Sequence, residues 1–235
     1  GIGADGLVFI TKDTDAYTMR IFNADGTEAE MCGNAVRCMA DYLLHEGLVQ
    51  SPDIEIGTIS GTKLVRVEGE RYVVDMGEPD FPFSQGKAVE VLSHGMTWNT
   101  HPVSMGNPHA VVFVDDLSEL DFSTWGPRLE VAEVWPKGAN IEFTQVISRD
   151  RLRVKVWERG AGPTLACGTG ACAAAVVASK LGLTSELTNN PITVSLPGGE
   201  LTIHGGVDNH VYMTGPAVRV FSGHIDISRV ERERK

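Results

Sequence analysis

Two cysteines, Cys32 and Cys167, stand 135 positions apart, and each is followed directly by a glycine. A stretch typical of a helix begins after each cysteine, over 33–46 and over 168–181. The first N–H groups of a helix have no intrahelical partner, so they attract anions and lower the pKa of a nearby thiol. Each cysteine is therefore predicted to be a proton-transferring base beside a cradle for a carboxylate. The predicted cradle residues are Gly33, Asn34, Gly168 and Thr169.

The two cysteine segments belong to an internal repeat. At the same spacing, Gly3-Ala4-Asp5 aligns with Gly138-Ala139-Asn140, and Gly47-Leu48 aligns with Gly182-Leu183. Similarity at a fixed offset indicates two copies of one structural unit. Two units related by a pseudo-twofold axis would place one sulfur on each side of a bound carbon atom. That arrangement suits racemisation or epimerisation, with one proton shared by two coupled thiols.

Facing thiols allow a second interpretation. Two thiols that lie close together can oxidise to a disulfide, so a thiol-redox module or a non-catalytic amino-acid-binding module stays open. Isotope exchange at a substrate carbon would separate an epimerase from either module.

The elements around the cysteines predict an α+β fold. Predicted strands are 7–12, 17–23, 54–58, 63–68 and 71–76 in the first copy, and 110–114, 141–147, 152–158, 192–196, 201–204 and 211–214 in the second. Shorter helices are predicted near 117–121 and 124–133. The helix over 168–181 is apolar on all sides, which predicts a buried helix. We therefore expect two pseudo-symmetric lobes, each a curved, mostly antiparallel sheet wrapped around a central helix.

The predicted lobes are unequal in length. Residues 1–78 form the N-terminal lobe, residues 79–218 form the C-terminal lobe, and a strand at about 219–228 returns to the first. The second copy has residues 79–137 ahead of its Gly-Ala-Asn turn, whereas the first has only Gly1-Ile2 before the matching turn. The repeat thus predicts a further strand and helix ahead of Gly1.

Composition narrows the class of protein. The chain has 235 residues, of which 42% are hydrophobic and 22% charged, as is usual for a globular protein. Its 20 basic and 31 acidic residues give a net charge of −11 without a basic stripe, which argues against nucleic-acid binding. No apolar run approaches the ~20 residues that a membrane span needs. Four cysteines outside the zinc spacing predict free thiols in the cytoplasm and no metal site.

Four ordered segments resemble the signature segments of the diaminopimelate epimerase family. They are 30–38 (EMCGNAVRC), 106–109 (GNPH), 158–162 (ERGAG) and 166–170 (ACGTG). The resemblance implies a cofactor-independent isomerase of lysine biosynthesis that interconverts LL- and meso-2,6-diaminopimelate, a small molecule. It also implies a homodimer, in which Phe221 lies near a dimer-packing aromatic. Proline and hydroxyproline racemases also use a pair of cysteines, but their first cysteine motif usually has a histidine after Cys-Gly, where Asn34 stands in this sequence.

The resemblance also implies roles for individual residues. Cys32 and Cys167 match the two catalytic bases, and His109 and Glu158 match groups that adjust their pKa values. Substrate-binding positions are Asn23, Gly33, Asn34, Asn107, Asn140, Glu158, Arg159, Gly168 and Thr169. Ala35, Ala110 and Pro163 depart from the glycine, cysteine and glutamate that are frequent in the family, and the family's Gly-Asn-Asp-Phe strand is absent from the sequence.

Overall fold

The computed structural model describes residues 4, 6–13, 16–23, 26–29, 31–82 and 87–224. The first half contains β1 (Gly6–Asp13), β2 (Ala16–Asn23), β3 (Glu28–Ala29), α1 (Gly33–His45), β4 (Asp53–Thr58), β5 (Gly61–Glu68) and β6 (Arg71–Asp75). A middle segment contains β7 (Val89–Ser93), β8 (Met96–Ser104), β9 (Pro108–Phe113) and α2 (Phe122–Glu130). The second half contains β10 (Asn140–Ser148), β11 (Arg151–Glu158), β12 (Gly162–Thr164), α3 (Gly168–Lys180), β13 (Ile192–Leu196), β14 (Gly199–Gly205) and β15 (Val211–Pro216).

The element order repeats between the two halves, as the sequence predicts. In each half a hairpin and a short strand precede the helix, and three strands follow it. The strand pairing repeats as well: β2 pairs in parallel with β4, with Tyr17 opposite Ile56, and β11 pairs in parallel with β13, with Leu152 opposite Val194. Because equivalent residues pair in both halves, the pseudo-symmetric α+β fold is confirmed.

One sheet runs through both halves. Its strand order is β1-β2-β4-β5-β6-β15-β14-β13-β11-β10-β9-β8-β7, and most neighbours are antiparallel. The halves meet where β6 pairs with β15, with Val74 opposite Met213 and Asp75 opposite Tyr212. This junction places Met213 at the centre of the molecule, where it is fully buried.

The two helices fill the two lobes. Every residue of α3 from Gly168 to Ala178 is buried, which confirms the predicted burial of this helix. Helix α1 buries one face and exposes Cys38 and Tyr42 on the other. Both helices pack in one apolar core, and a second, smaller core lies under α2. Gly47 and Gly182 adopt positive φ angles of 67° and 71° just past the helix ends, where an L side chain would be strained.

Most predicted elements form. The eleven strands predicted between residues 7 and 214 are present with ends shifted by at most two residues, and α1 and α3 each end one residue early. The helix expected at 124–133 is α2. The helix expected near 117–121 is wrong, because Asp116 accepts a hydrogen bond from Ser118 N–H and Asp121 caps α2 by accepting one from Thr124 N–H. The β7–β8 hairpin and the short strands β3 and β12 were not predicted.

The lobe boundaries at 78 and 218 stay predictions, as does a strand and helix ahead of Gly1. No strand forms in the described part of the C-terminal segment, 217–224, which instead returns to α1 through an ion pair of 2.9 Å between Arg219 and Glu46. Residues 225–228 of the predicted last strand lie outside the described residues, as do Gly3 and Asp5 of the first repeat turn. Within the described residues, no helix is long and apolar enough to cross a membrane.

Candidate active site

The starts of α1 and α3 are built alike. Cys32 and Cys167 are the N-cap residues, both in extended conformation, with φ of −144° and −118°. The carbonyl of each cysteine accepts the first intrahelical hydrogen bond, at 3.0 Å, so the backbone of each cysteine is fixed at the start of its helix. At α3 the sulfur itself accepts a hydrogen bond from Gly170 N–H at 3.4 Å.

The structure brings these two helix starts together. A Cβ atom at Gly33 would lie 2.7 Å from Met213 Cε, and one at Gly168 would lie 2.9 Å from Met213 Sδ. Both helices therefore contact the same central methionine, and only glycine allows this approach without displacing it. The Asn34 side chain crosses between the lobes and donates a hydrogen bond of 3.2 Å to the carbonyl of Ala166, the residue before Cys167.

Burial raises the pKa of both thiols. Cys167 is 5% exposed, and the negative charge of Glu158 adds to the effect of burial, so its pKa lies well above the usual value. At Cys32 burial and the charge of Glu158 raise the pKa, against the helical N–H groups and the charge of Arg37. The prediction that the helix starts lower these pKa values is therefore wrong, because the net shift at both cysteines is upward. The N–H groups do favour the thiolates, but loss of hydration is the larger effect.

Glu158 ends β11 and Arg159 follows it, and the turn that they begin is held by two other residues. The Asn140 side chain accepts a hydrogen bond from Arg159 N–H at 2.8 Å and donates one to the Pro108 carbonyl at 3.0 Å. Glu130 of α2 accepts from Gly160 N–H at 2.8 Å. The Glu158 carboxylate accepts a hydrogen bond from the Thr164 hydroxyl, and its negative charge raises the pKa of both cysteines.

A chain of polar side chains reaches Cys167 from β9 and β10. His109 lies 2.6 Å from Glu142 through Nδ1 and 2.9 Å from Asn107 through Nε2. Asn107 donates to the Thr169 hydroxyl at 3.4 Å, and that hydroxyl lies 3.4 Å from Cys167 Sγ. His109 and Glu142 are almost fully buried, at 1% and 0% exposure.

Comparison with known proteins identifies the family. The family model described as "Diaminopimelate epimerase" matches residues 1–82 and 102–220. The diaminopimelate epimerase of Moorella thermoacetica is 46% identical over 239 residues, which cover 95% of this chain and 84% of that protein. The diaminopimelate epimerase of Acaryochloris marina is also 46% identical, over 95% of this chain and 84% of its own length. The chain belongs to the diaminopimelate epimerase family.

Solved structures agree on the fold of this family member. A PhzF-family phenazine biosynthesis protein of Bacillus anthracis superposes with a TM-score of 0.70 at 15% identity, over 94% of this chain and 84% of that one. A probable proline racemase of Agrobacterium radiobacter gives a TM-score of 0.68 at 15% identity, over 94% and 76%. At such identities these likenesses establish the two-lobed fold alone.

The structure places most of the predicted site residues around the two helix starts of this epimerase-family fold. Contacts at the helix starts join Cys32, Gly33, Asn34, Asn107, His109, Cys167, Gly168 and Thr169. Asn140, Glu158 and Arg159 belong to the turn after β11, where Asn140 holds the Arg159 backbone and the charge of Glu158 acts on both cysteines. Asn23 is exposed at the end of β2, where its amide donates to Thr27 at 3.0 Å. It occupies in the first repeat the position of Glu158 in the second. The individual roles assigned from the sequence stay predictions.

Two residues at the site escaped the sequence reading. Glu142 stands in an otherwise apolar strand stretch, and an acid at such an inward position is a signal that could have been used. Arg37 is 6% exposed and donates to the Asn34 side chain at 3.0 Å and to the Pro216 carbonyl at 3.2 Å.

Among the described residues no group of three or more His, Cys, Asp or Glu side chains is arranged to hold a metal ion.

Proposed function

We propose that this protein is a diaminopimelate epimerase, an isomerase of lysine biosynthesis, in which Cys32 and Cys167 are the two bases that invert the α-carbon. The observation that carries the proposal is the contact of both cysteine-bearing helix starts with Met213, one from each lobe. Family membership at 46% identity supports 2,6-diaminopimelate as the substrate rather than proline or hydroxyproline.

The proposed reaction is a proton exchange between two sulfurs and one carbon. One thiolate removes the α-proton and becomes a thiol, and the electron pair of the C–H bond stays on the α-carbon. The opposite thiol then delivers its proton to the other face of that carbon and becomes a thiolate. The product has the inverted configuration, and the two cysteines have exchanged protonation states, so the next turnover runs in the reverse sense or follows proton exchange with solvent.

The resting state favours a thiolate at Cys32 over one at Cys167. Burial raises the pKa of both, but Cys32 is less buried than Cys167, and the Arg37 guanidinium favours the thiolate at Cys32. Because an amino acid carries an ammonium group, the substrate brings positive charge to the two thiols and Glu158, and this helps the first thiolate to form. Cys32 is thus the first base in our scheme.

The substrate carboxylate next to the reacting carbon binds to the N–H groups at both helix starts. These groups and their partial positive charges also stabilise the electron pair left on the α-carbon, because fixed dipoles in a dry site act strongly. Arg159 offers a planar fork for the distal carboxylate, and asparagine side chains hold the distal amino acid. The roles of Asn23, Asn107 and Asn140 in this binding are part of the proposal.

Isotope exchange tests the proposal. In D₂O the enzyme should place solvent deuterium at the α-carbon of LL-diaminopimelate while forming the meso isomer. Cys32→Ala and Cys167→Ala should each reduce inversion by at least about 10³-fold, because each variant lacks one of the two proton carriers. Cys38→Ala, at an exposed cysteine on the far face of α1, is the matched control and should retain inversion. Inversion that survives the loss of Cys32 or Cys167 would contradict the two-base scheme.

We infer in addition that the protein works as a homodimer in the cytoplasm. The family resemblance supports the dimer, and Phe221, which is 62% exposed beside the half-exposed face of α1, is the aromatic that it assigns to the interface. The four free cysteines support a reducing compartment. Sedimentation of the purified protein measures its oligomeric state.

A further inference from the structure

Glu142 has no role in the scheme above, yet it is the most buried acid at the site. Its side chain is completely buried, its Oε1 lies 2.6 Å from His109, and its Oε2 has no hydrogen-bond partner among the described residues. The first turn of α3 presses on it, because a Cβ at Gly170 would lie 2.8 Å from Glu142 Oε1 and 3.3 Å from Cys167 Sγ. A carboxylate with an unpaired buried oxygen is costly, so this environment favours the neutral acid.

The hydrogen bonds that lead away from Glu142 have a defined direction when the acid is neutral. Its O–H donates to His109 Nδ1, which leaves the proton of the neutral imidazole on Nε2. Nε2–H then donates to Asn107 Oδ1, and the Asn107 amide N–H donates to Thr169 Oγ1. The Thr169 hydroxyl hydrogen is left free to donate to Cys167 Sγ.

With an ionised Glu142 and a neutral imidazole the direction reverses. His109 Nδ1–H would then donate to the carboxylate, so Nε2 would accept and the Asn107 amide would turn over. Thr169 would donate to Asn107 rather than to Cys167, and the sulfur would lose a donor. An imidazolium–carboxylate pair would keep the first direction, so the donor that a thiolate needs at Cys167 depends on the one proton between Glu142 and His109. The buried, unpartnered Oε2 of Glu142 favours that proton on the acid.

We propose that Glu142, as a neutral carboxylic acid, is a positioning residue that directs the hydrogen bonds of His109, Asn107 and Thr169 toward Cys167. It acts through these side chains and does not touch the substrate. The inference rests on the proposed role of Cys167 as a base, and burial, which raises the pKa of Glu142, is consistent with it.

Other titratable groups face this chain. His109 on β9 and Glu158 at the end of β11 both act on the Glu142 carboxyl, and Cys167 lies against it from α3. His101 on β8 lies in the same row of the sheet, since it and Glu142 both pair with Val111. The test therefore needs a readout that belongs to Cys167 alone.

Alkylation of the individual cysteines supplies this readout. Iodoacetamide is applied to the intact enzyme across a range of pH, and the modification rates of Cys167 and Cys32 are measured by peptide mass spectrometry. Glu142→Gln keeps a neutral donor for His109 Nδ1, whereas Glu142→Leu removes it. Glu119→Gln, at an exposed acid, is the control and should match wild type in every measurement.

We expect Glu142→Leu and Glu142→Gln to differ in the alkylation of Cys167 and in kcat. Glu142→Leu should shift the alkylation midpoint of Cys167 to higher pH, leave that of Cys32 in place, and lower kcat by about 10-fold or more with little change in KM. Glu142→Gln should restore both properties to near wild type. Equal behaviour of the two variants overturns the inference, and a downward shift in both would mean that Glu142 acts through negative charge instead. Alkylation rates do not depend on turnover, so they test the role of Glu142 independently of the proposed function. The proposed function would be refuted separately by a Cys167→Ala variant that still inverts the substrate.

Discussion

Thr169 lies between two partners, Asn107 and Cys167, and its hydroxyl serves both. Its oxygen accepts from the Asn107 amide at 3.4 Å and lies 3.4 Å from the sulfur, to which the proposed network directs its hydrogen. Another buried threonine, Thr184, has a hydroxyl with no partner among the described residues. Replacing threonine by valine at each of these two positions therefore compares the loss of a hydroxyl that is expected to act in catalysis with the loss of one that is not.

Thr169→Val should lower kcat by about 10-fold, because Cys167 loses a donor and the Asn107 amide is left unpaired. Thr184→Val should leave kcat unchanged and raise the free energy of unfolding by up to about 1 kcal/mol, because a buried unpaired hydroxyl is costly. Steady-state kinetics and urea denaturation of both variants check this. A similar loss of kcat in the two variants would count against a specific role for the Thr169 hydroxyl.

At the scale of elements, helix α2 supports the turn that carries Glu158 and Arg159. Its Glu130 accepts hydrogen bonds from Trp157 Nε1–H at 2.7 Å and from Gly160 N–H at 2.8 Å. The helix also lies directly on the Trp157 ring through Gly126, where a Cβ would come within 2.8 Å of Trp157 Cγ. The glycine lets the helix approach the residue before Glu158 closely enough to hold it.

Gly126→Ala should therefore destabilise the protein, although alanine favours a helix by about 1 kcal/mol over glycine. A clash with a rigid indole ring costs about 1–3 kcal/mol, which outweighs that gain. We expect a lower midpoint of urea denaturation and a higher KM, since the Arg159 turn shifts. Ser123→Ala, at an exposed position of the same helix, is the control and should leave both unchanged. A Gly126→Ala protein as stable as this control would contradict the packing argument.

At the scale of the whole molecule, one ion pair bridges the junction of the two halves. His210 Nδ1 lies 2.9 Å from both carboxylate oxygens of Asp75, which ends β6. The hydrogen bond to Asp75 raises the pKa of His210 above its usual value. A raised histidine pKa stabilises the fold fully below the unfolded-state pKa of about 6.5, and that stabilisation is lost as pH rises through the folded-state pKa.

The melting temperature of wild type should thus exceed that of His210→Gln by more at about pH 5 than at about pH 8. Scanning calorimetry of both proteins across this range measures the difference. In an Asp75→Asn background the same His210→Gln change should produce little pH-dependent difference, because the pair is already broken. A difference that stays constant with pH would show that His210 contributes through packing alone.

Local sequence chemistry determined the two helix starts, the repeat and most strand positions. The glycines just past the helices and the apolar periodicity lie within short segments, and Cys32 and Cys167 occupy equivalent positions in the two repeat copies. These features can be recognised without knowledge of the fold. The β7–β8 hairpin escaped because β8 lacks alternation and turns through His94 and Gly95, whose φ angles of 49° and 80° are both positive. Residues other than glycine rarely adopt a positive φ, so His94 gave only a weak turn signal.

Only the tertiary structure decided the electrostatics of the site. The sign of the thiol pKa shifts depends on burial at Cys32 and Cys167, and burial follows from packing that is distant in sequence, such as that of Gly33 against Met213 of β15. The parallel pairing of β9 with β10 likewise places Glu142 beside His109, although 33 positions separate them in the sequence. Hydration and hydrogen bonding depend on what surrounds a group in space, and a one-dimensional pattern records only its neighbours along the chain.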